Sequence, residues 1–509
     1  MAPYDLLGNR WVVGRIPEQV FADIDFEALL HKFFTEKQVS NILAVLSRPL
    51  SAEGIMKRQE LFLELEKEEV RAYFSSLKRI VQDLEYRYDA YHQQSNPVYQ
   101  AAASLALAET YCEFVDQICD RVIYSSAKAA VLKEFIETYL KLQGSVEFVA
   151  VKNSVKKLRS GLQAIGSVRI NIRTPDGVPL SAALYQGEDN HLAFELEQIA
   201  AKFGIERRTR RNHSEGRLSG EFILGLAKLH PELFAELESF HNQYGAVITP
   251  KIFAYSSQIA FYRDLHSFFS VLRRQQIPLF MPKIAEHKQV SLTDAYDLSL
   301  LLKMQSGIIP NDISFSEAKG FYLVTGANSG GKTAYLRTVA ICQILFSAGA
   351  YVPAVDGEMY PFQQLFTQFP ADESGVRGGR LKDEQDQITA ILNAVNEDTL
   401  VLLNETFSST SEEIAVDLCV ELISKLCAAG AYGLLITHHH RIYDRIKPLQ
   451  VNSKIGRLTA VVLDDAANTR TFKIVAEETA PQSYAQSILE KYGLTRSQLV
   501  KRLREVVEC

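Results

Sequence analysis

Residues 326–333 read Gly326-Ala327-Asn328-Ser329-Gly330-Gly331-Lys332-Thr333, a full match to the pattern G-x-x-x-x-G-K-[ST]. In such a loop the glycines let successive backbone N–H groups converge on phosphate oxygens. Lys332 is then placed to reach the β- and γ-phosphates, and Thr333 to offer its hydroxyl to Mg²⁺. The pattern works only between a strand and a helix. The apolar run Gly320–Val324 precedes it, and Tyr335–Ala340 follows with helical spacing. The spacing therefore predicts a strand, a turn and a helix whose positive end faces the phosphates. The ligand implied is a nucleoside triphosphate with Mg²⁺.

Two more apolar runs end in polar residues. Thr399–Leu403 leads to Asn404 and Glu405, and Gly433–Ile436 leads to Thr437, His438, His439 and His440. A carboxylate at a strand tip suits orienting a water and taking its proton, which is the role expected of Glu405. Asn404 offers an amide oxygen that can hold a metal-bound water but brings no charge. The plainer alternative is a core strand that happens to end in polar residues. Three consecutive histidines also raise a metal site, since His438 and His440 would share a face if the strand continued. No second ligand cluster supports that reading. Between these runs, Thr410 or Ser411 is positioned to cap a helix that carries Glu412 and Glu413 in its first turn.

Several elements must hold these residues in place. At 509 residues the chain exceeds what one core supports, and a length prior gives roughly three or four domains. Hydrophobic residues at 47% and charged residues at 23% describe an ordinary globular protein. A net charge of −6 argues against a generally basic nucleic-acid coat while allowing a local basic patch. Six cysteines lie scattered without a C-x-x-C pair, which suits a reducing cytosol. The first residues show no basic segment leading into an apolar one, and no run approaches the roughly 18 apolar residues of a membrane span, so a cytoplasmic protein without membrane contact is expected.

Residues 20–145 repeat apolar positions at helical spacing, as in Ile55–Leu65, and predict long helices. The texture changes at Val168–Arg173, which alternates with period two. Thr174-Pro175-Asp176-Gly177 is a turn signal, and Val178–Tyr185 can return as a second strand. Residues 145–220 hold 12 Lys and Arg against 8 Asp and Glu. Lys152, Lys156, Lys157 and Arg159 recur at helical spacing, and Arg207, Arg208, Arg210 and Arg211 form a run. A solvated surface explains such charges as well as a phosphate-binding one does. Helices resume near residue 221 and break at Pro278 and Pro282. Beyond them, alternating apolar runs and helical segments predict an α/β domain with a largely parallel sheet. The tail from residue 482 reads as two short helices.

The wording around these motifs resembles the ATPase domain of the MutS family, a branch of the ABC-type nucleotide hydrolases. The resemblance rests on Thr325–Thr333 with Asn328 in the loop, Leu336-Arg337 after it and Val352-Pro353-Ala354 downstream. Leu400–Thr410, Thr437-His438, Ile309-Pro310-Asn311-Asp312 and Ser483-Tyr484-Ala485 extend it, and Arg48-Pro49-Leu50 with Arg58-Gln59 is similar to the family's helical core. It is specific over 285–490 and looser over 20–280. The family implies a helical core and lever with a small β-containing clamp, followed by an ABC-type P-loop α/β ATPase domain. The boundaries expected on this reading are 1–145 for core and outgoing lever, 146–220 for the clamp, 221–284 for the returning lever, 285–480 for the ATPase and 481–509 for terminal helices. The family also implies ATP and Mg²⁺ as ligands, a homodimer, and DNA held by its backbone, with Lys152, Lys156 and the four arginines at 207–211 as contacts. His438 becomes a γ-phosphate sensor and Asn404 a water-mediated metal contact.

Departures from the family pattern shape the expectations. Asn404 stands where the family usually has Asp. Gly379-Arg380-Leu381-Lys382 lacks the serine of the signature segment. No wedge-bearing mismatch domain is expected before the core, so a distorted or branched duplex is the expected substrate. The leading expectation is an ATP-gated DNA clamp with slow hydrolysis. The alternative is a nucleotide-gated DNA-binding or scaffold protein with little hydrolysis, and a small-molecule kinase is a distant third.

Overall fold

The computed structural model describes residues 4–8, 14–163, 167–172, 179–185, 227, 230–245, 250–302, 304, 307–326, 330–370, 380–463 and 469–477. The chain divides into two compact units. One comprises Met1–Tyr4, Ala72–Ser126 and Lys133–Ser256, and the other Asp5–Arg71, Ala127–Leu132 and Ser257–Cys509.

The first unit is mainly helical. Its helix Pro97–Ile118 begins where Asn96 Oδ1 accepts from the N–H groups of Val98 and Tyr99, with Pro97 opening the first turn. The helices Val146–Gln163 and Pro231–Tyr244 pack against it. Phe114, Phe135, Tyr139 and Tyr255 form an aromatic core with ring centroids 5.4 to 6.1 Å apart. The period-two segment forms an antiparallel pair, β1 (Ser167–Ile172) with β2 (Pro179–Tyr185). The turn expected between them lies outside the described residues, as do the arginines at 207–211 and the tail.

In the second unit the helices Glu36–Leu46 and Ala52–Glu64 start at a Thr35–Gln38 capping box and at Ser51, whose Oγ accepts from Gly54 N. Phe62 meets Phe261, Tyr262, Phe269 and Tyr351 edge-on. Two sheets follow. A four-stranded one has β3 (Lys283–Ile284), β4 (Val290–Ala295), β5 (Asn311–Phe315) and β7 (Asp356–Met359) in the order β3-β7-β4-β5, with β4 antiparallel to both neighbours. This small mixed sheet was not legible in the sequence, because its strands are short and half-exposed.

The six-stranded sheet is the parallel one that the sequence predicts. It is built from β6 (Phe321–Gly326), β8 (Gln364–Gln368), β9 (Thr399–Asn404), β10 (Tyr432–Ile436), β11 (Ile455–Leu463) and β12 (Thr469–Ala476). Its order is β12-β11-β6-β10-β9-β8, parallel except for the β11–β12 edge pair. Every residue of β9 and β10 is buried. Such continuous apolar strands arise when helices cover both faces of a sheet. Val401 and Leu403 face a core shared with Cys419, Leu422, Ile423 and Leu426 of the helix Glu412–Ala428. Each of these fully buried leucines contributes about 1.5–3 kcal/mol. The outcome is a rigid platform with three strand tips, β6, β9 and β10, at one edge.

The five described cysteines are free and buried. Burial pushes the Cys112, Cys119 and Cys427 thiols up to about 11, which leaves little reactive thiolate. Among the described residues no helix is long and apolar enough to cross a membrane.

Candidate functional site

The strand β6 ends at Gly326, and the helix Lys332–Ser347 begins six positions later. Gly326 has φ +114°, and a Cβ there would stand 2.9 Å from Ala460 N, so only glycine lets the strand leave the sheet at this point. Gly331, at φ +92°, is the N-cap and leaves the first amides of the helix without a side-chain partner. Those amides and the helix dipole make this end an anion site. Ala327, Asn328 and Ser329 lie outside the described residues. Gly330, Gly331, Lys332 and Thr333 line the cleft in front of the helix. Lys332 Nζ donates to Gly326 O at 2.8 Å, which holds the ammonium at the end of β6. Burial lowers its pKa, and the nearby charge of Glu405 opposes that shift.

The tip of β9 is fixed differently. Glu405 N donates to Ile436 O at 3.0 Å, tying it to β10, and the backbone then turns left-handed at Glu405 (φ 51°) and Phe407 (φ 61°). Each such residue without glycine's freedom costs about 1–2 kcal/mol, which the surroundings must offset. Thr406 Oγ1 donates to Gln368 Oε1, and Ser409 Oγ to Glu384 Oε2, so the turn is held from β8 and from the helix Arg380–Ala394. This geometry swings the Glu405 carboxylate out of the sheet and into the cleft. Asn404, immediately before it, is buried, and its Oδ1 has no hydrogen-bond partner among the described residues.

Beyond β10, Thr437 N donates to Val324 O at 3.1 Å and holds the segment against β6. The strand ends at Ile436, so His438 and His440 do not share a strand face as a longer strand would have made them. His440 instead is the N-cap of the helix Arg441–Ile446. His438 Nε2 lies 2.8 Å from Glu405 Oε1, with 39% and 37% of the two side chains exposed. Among the described residues no group of three or more His, Cys, Asp or Glu is placed to hold a metal. Ser411 is the N-cap of the next helix, but its side chain makes no cap bond there.

These groups meet at one cleft of about 480 Å³. Lys332, Thr333, Glu405 and His438 are among its polar lining, while Leu300, Met304, Ile308, Ile309 and Phe472 add apolar surface. A charged triphosphate and a flat, apolar base need such a division. Of the residues expected to serve magnesium, Thr333 lines the cleft and offers a hydroxyl, a hard oxygen donor, whereas Asn404 is buried just before Glu405 and is not part of the cleft lining. Asn311, noted in the sequence only as part of Ile309–Asp312, ties β5 to β12. Its Nδ2 donates to Phe472 O at 3.0 Å, and its Oδ1 accepts from Ile474 N at 2.7 Å. Phe472 and Asp297 also line the cleft, and neither carried a sequence signal.

The basic residues of the first unit differ. Lys152 Nζ is 2.6 and 2.8 Å from the two oxygens of Asp116, Lys157 is 3.0 Å from Glu236, and Arg159 pairs with Glu109. Lys156 is exposed.

Comparison with known proteins gives one family match. Residues 322–508 match the model described as MutS domain V. The chain is 34% identical over 145 residues to the DNA mismatch repair protein MutS 2 of Halobacterium salinarum, covering 28% of this chain and 16% of that protein. It is 27% identical over 215 residues to the DNA mismatch repair protein MutS of Thermus thermophilus, 41% of this chain and 25% of that one. Over 131 residues it is 30% identical to human MutS protein homolog 4, 26% and 14% of the two chains. The chain thus spans well under a third of the length of these relatives.

Proposed function

We propose that the chain, whose residues 322–508 match the model described as MutS domain V, is a DNA-binding ATPase of that family whose hold on DNA is gated by ATP. The observation that carries this reading is the meeting of Lys332, Glu405 and His438 at one end of a single cleft. Lys332 and the amides opening its helix would bind the β- and γ-phosphates. Thr333, with Asn404 through water, would hold Mg²⁺, which when bound neutralises phosphate charge. Glu405 takes the proton of the attacking water. Its Oε1 is engaged by His438, so release of the histidine frees that oxygen and leaves the carboxylate a stronger base. A γ-phosphate oxygen is the natural new partner for the released imidazole. Loading of the cleft and readiness of the base are then linked.

A second reading has support of its own. Asn404 brings no negative charge to the metal, which favours a protein that binds nucleotide and hydrolyses it very slowly. For DNA, the proposal assigns residues 146–220, with β1, β2 and the arginines at 207–211, to a clamp-like element carried on lever helices, in a homodimer. Phosphate contacts there would be independent of sequence and weakened steeply by salt.

The test is ATP binding and turnover by the whole chain and by Lys332→Ala, with and without perfect, mismatched and branched duplexes over a salt series. Losing a charged donor to phosphate is expected to weaken ATP binding by about 10–100-fold. Turnover no higher than in Lys332→Ala would favour the second reading. No binding to any duplex at low salt would sink the DNA half of the proposal.

A further inference from the structure

The turn between the helices Glu18–Asp23 and Phe26–His31 gives up two local preferences at one residue. Asp25 is the N-cap of Phe26–His31, where a carboxylate ordinarily accepts from the first amides of the helix, yet its side chain makes no cap bond. Its backbone is also left-handed, at φ 57°, a conformation disfavoured for residues other than glycine. The carboxylate is turned instead to Arg337, whose Nη2 lies 3.0 Å from Asp25 Oδ2. The Asp25 side chain is 36% exposed and that of Arg337 18%, and an ion pair so open to water adds little to stability. Strain kept for a weak bond marks a place where the geometry itself is used.

What that geometry serves follows from the place of Arg337 on the helix Lys332–Ser347. It stands four residues after Thr333 and so on the same face, one turn behind it, whereas Lys332 projects roughly 140° away. The helix Phe26–His31 also packs on the short helical turn Leu298–Leu302, whose Leu300 lines the cleft. Burial raises the pKa of Asp297 at the head of that turn, its Ser299 bonds and the Arg337 charge lower it, and the Asp25 charge raises it, so the guanidinium lies within reach of two carboxylates. A helix gripped off its axis in this way resists turning about that axis. Turning is what would carry the Thr333 hydroxyl out of the cleft. We propose that Asp25 is a positioning residue for the nucleotide site: by holding Arg337 it fixes the rotation of the helix Lys332–Ser347 that presents the Thr333 hydroxyl to a magnesium-bound triphosphate. This rests on the nucleotide reading of the cleft. Asp23, two residues earlier, is an anchor of another kind. Its Oδ2 accepts from Thr367 Oγ1 at 2.6 Å and its Oδ1 from Gln19 Nε2 at 2.6 Å, which fastens the same turn to β8 rather than to the helix Lys332–Ser347.

Equilibrium binding of ATP to the full chain, over a Mg²⁺ series and in EDTA, tests this beside the thermal midpoint and without any turnover measurement. Asp25→Gly relieves the left-handed backbone while deleting the carboxylate, and Asp25→Asn keeps the size and tolerates the conformation while removing the charge. In both, the Mg²⁺ concentration that half-saturates ATP binding is expected to rise by about 5–10-fold, with the affinity in EDTA within about twofold of wild type. The midpoint of Asp25→Gly should stay within about 2 °C, because lost strain offsets lost contact. Asp23→Ala should do the reverse, lowering the midpoint while leaving the Mg²⁺ dependence within about twofold. An unchanged Mg²⁺ dependence in the Asp25 variants would overturn the proposal. Equal losses with Mg²⁺ and in EDTA, or an equal rise in Asp23→Ala, would overturn it too, since a general loosening of the fold predicts both. Should Asp25→Gly not fold, Asp25→Asn decides alone. Failure of the wild-type chain to bind ATP in any of these conditions would overturn the nucleotide reading itself, and so is distinguishable from failure of the Asp25 assignment.

Discussion

Lys332 and Lys152 are both expected from the sequence to meet phosphate, and they meet different surroundings. Lys332 is held at the end of β6 by the carbonyl of Gly326 at 2.8 Å, and burial lowers its pKa. Lys152 is held by both oxygens of Asp116 and is 47% exposed. In the cleft, Lys332 lies beside the tip of β6 and within reach of the Glu405 charge. Along the helix Val146–Gln163, cations are answered by Asp116, Glu236 and Glu109. A ligand gains most where the fold has removed water without supplying a partner. It gains little by displacing an exposed ion pair.

The sharpest break of this comparison is Glu405→Gln. Removing the base should lower ATP turnover by about 10²–10⁴-fold while leaving the dissociation constant for ATP within about threefold. Turnover equal to wild type would remove Glu405 from the chemistry. Asn404→Asp comes next. A second carboxylate buried beside Glu405 should lower the thermal midpoint by roughly 2–8 °C without metal. Mg²⁺ with nucleotide should restore it, and the half-saturating Mg²⁺ concentration should fall. An unchanged Mg²⁺ dependence would show that Asn404 does not serve the metal. The smallest effect is expected from Lys152→Ala. With its charge matched by Asp116, stability should change by less than about 1 kcal/mol and DNA affinity at low salt by less than about twofold. A tenfold loss of DNA binding would mean that Lys152 abandons Asp116 for phosphate.

Much of the site was legible because it is local. Gly326, Gly331 and Lys332 lie within one turn of chain, and the apolar runs ending at Glu405 and Ile436 announce buried strands by composition alone. The helical first part and the antiparallel pair at 167–185 follow from periodicity in the same way. The sheet order was not legible. Nothing local says that β6 lies between β10 and β11, and that order alone brings the tips of β6, β9 and β10 together. The end of β10 at Ile436 depends on Thr437 turning to Val324, a contact 113 positions away, so the spacing of the histidines misjudged it. Asp297 and Phe472 entered the cleft through the packing of β4, β5 and β12, which leaves no pattern in their own segments.

The sequence by itself determined that residues 326–333 match a phosphate-loop pattern between a strand and a helix, and that a carboxylate and a histidine stand at strand ends. Glycine conformation and apolar runs are properties of neighbouring residues, so they can be read in order along the chain. Only the tertiary structure decided that Glu405 and His438 lie 2.8 Å apart and that Lys152 is occupied by Asp116. Those outcomes depend on which distant groups reach a charge once water is excluded, and that is settled by packing.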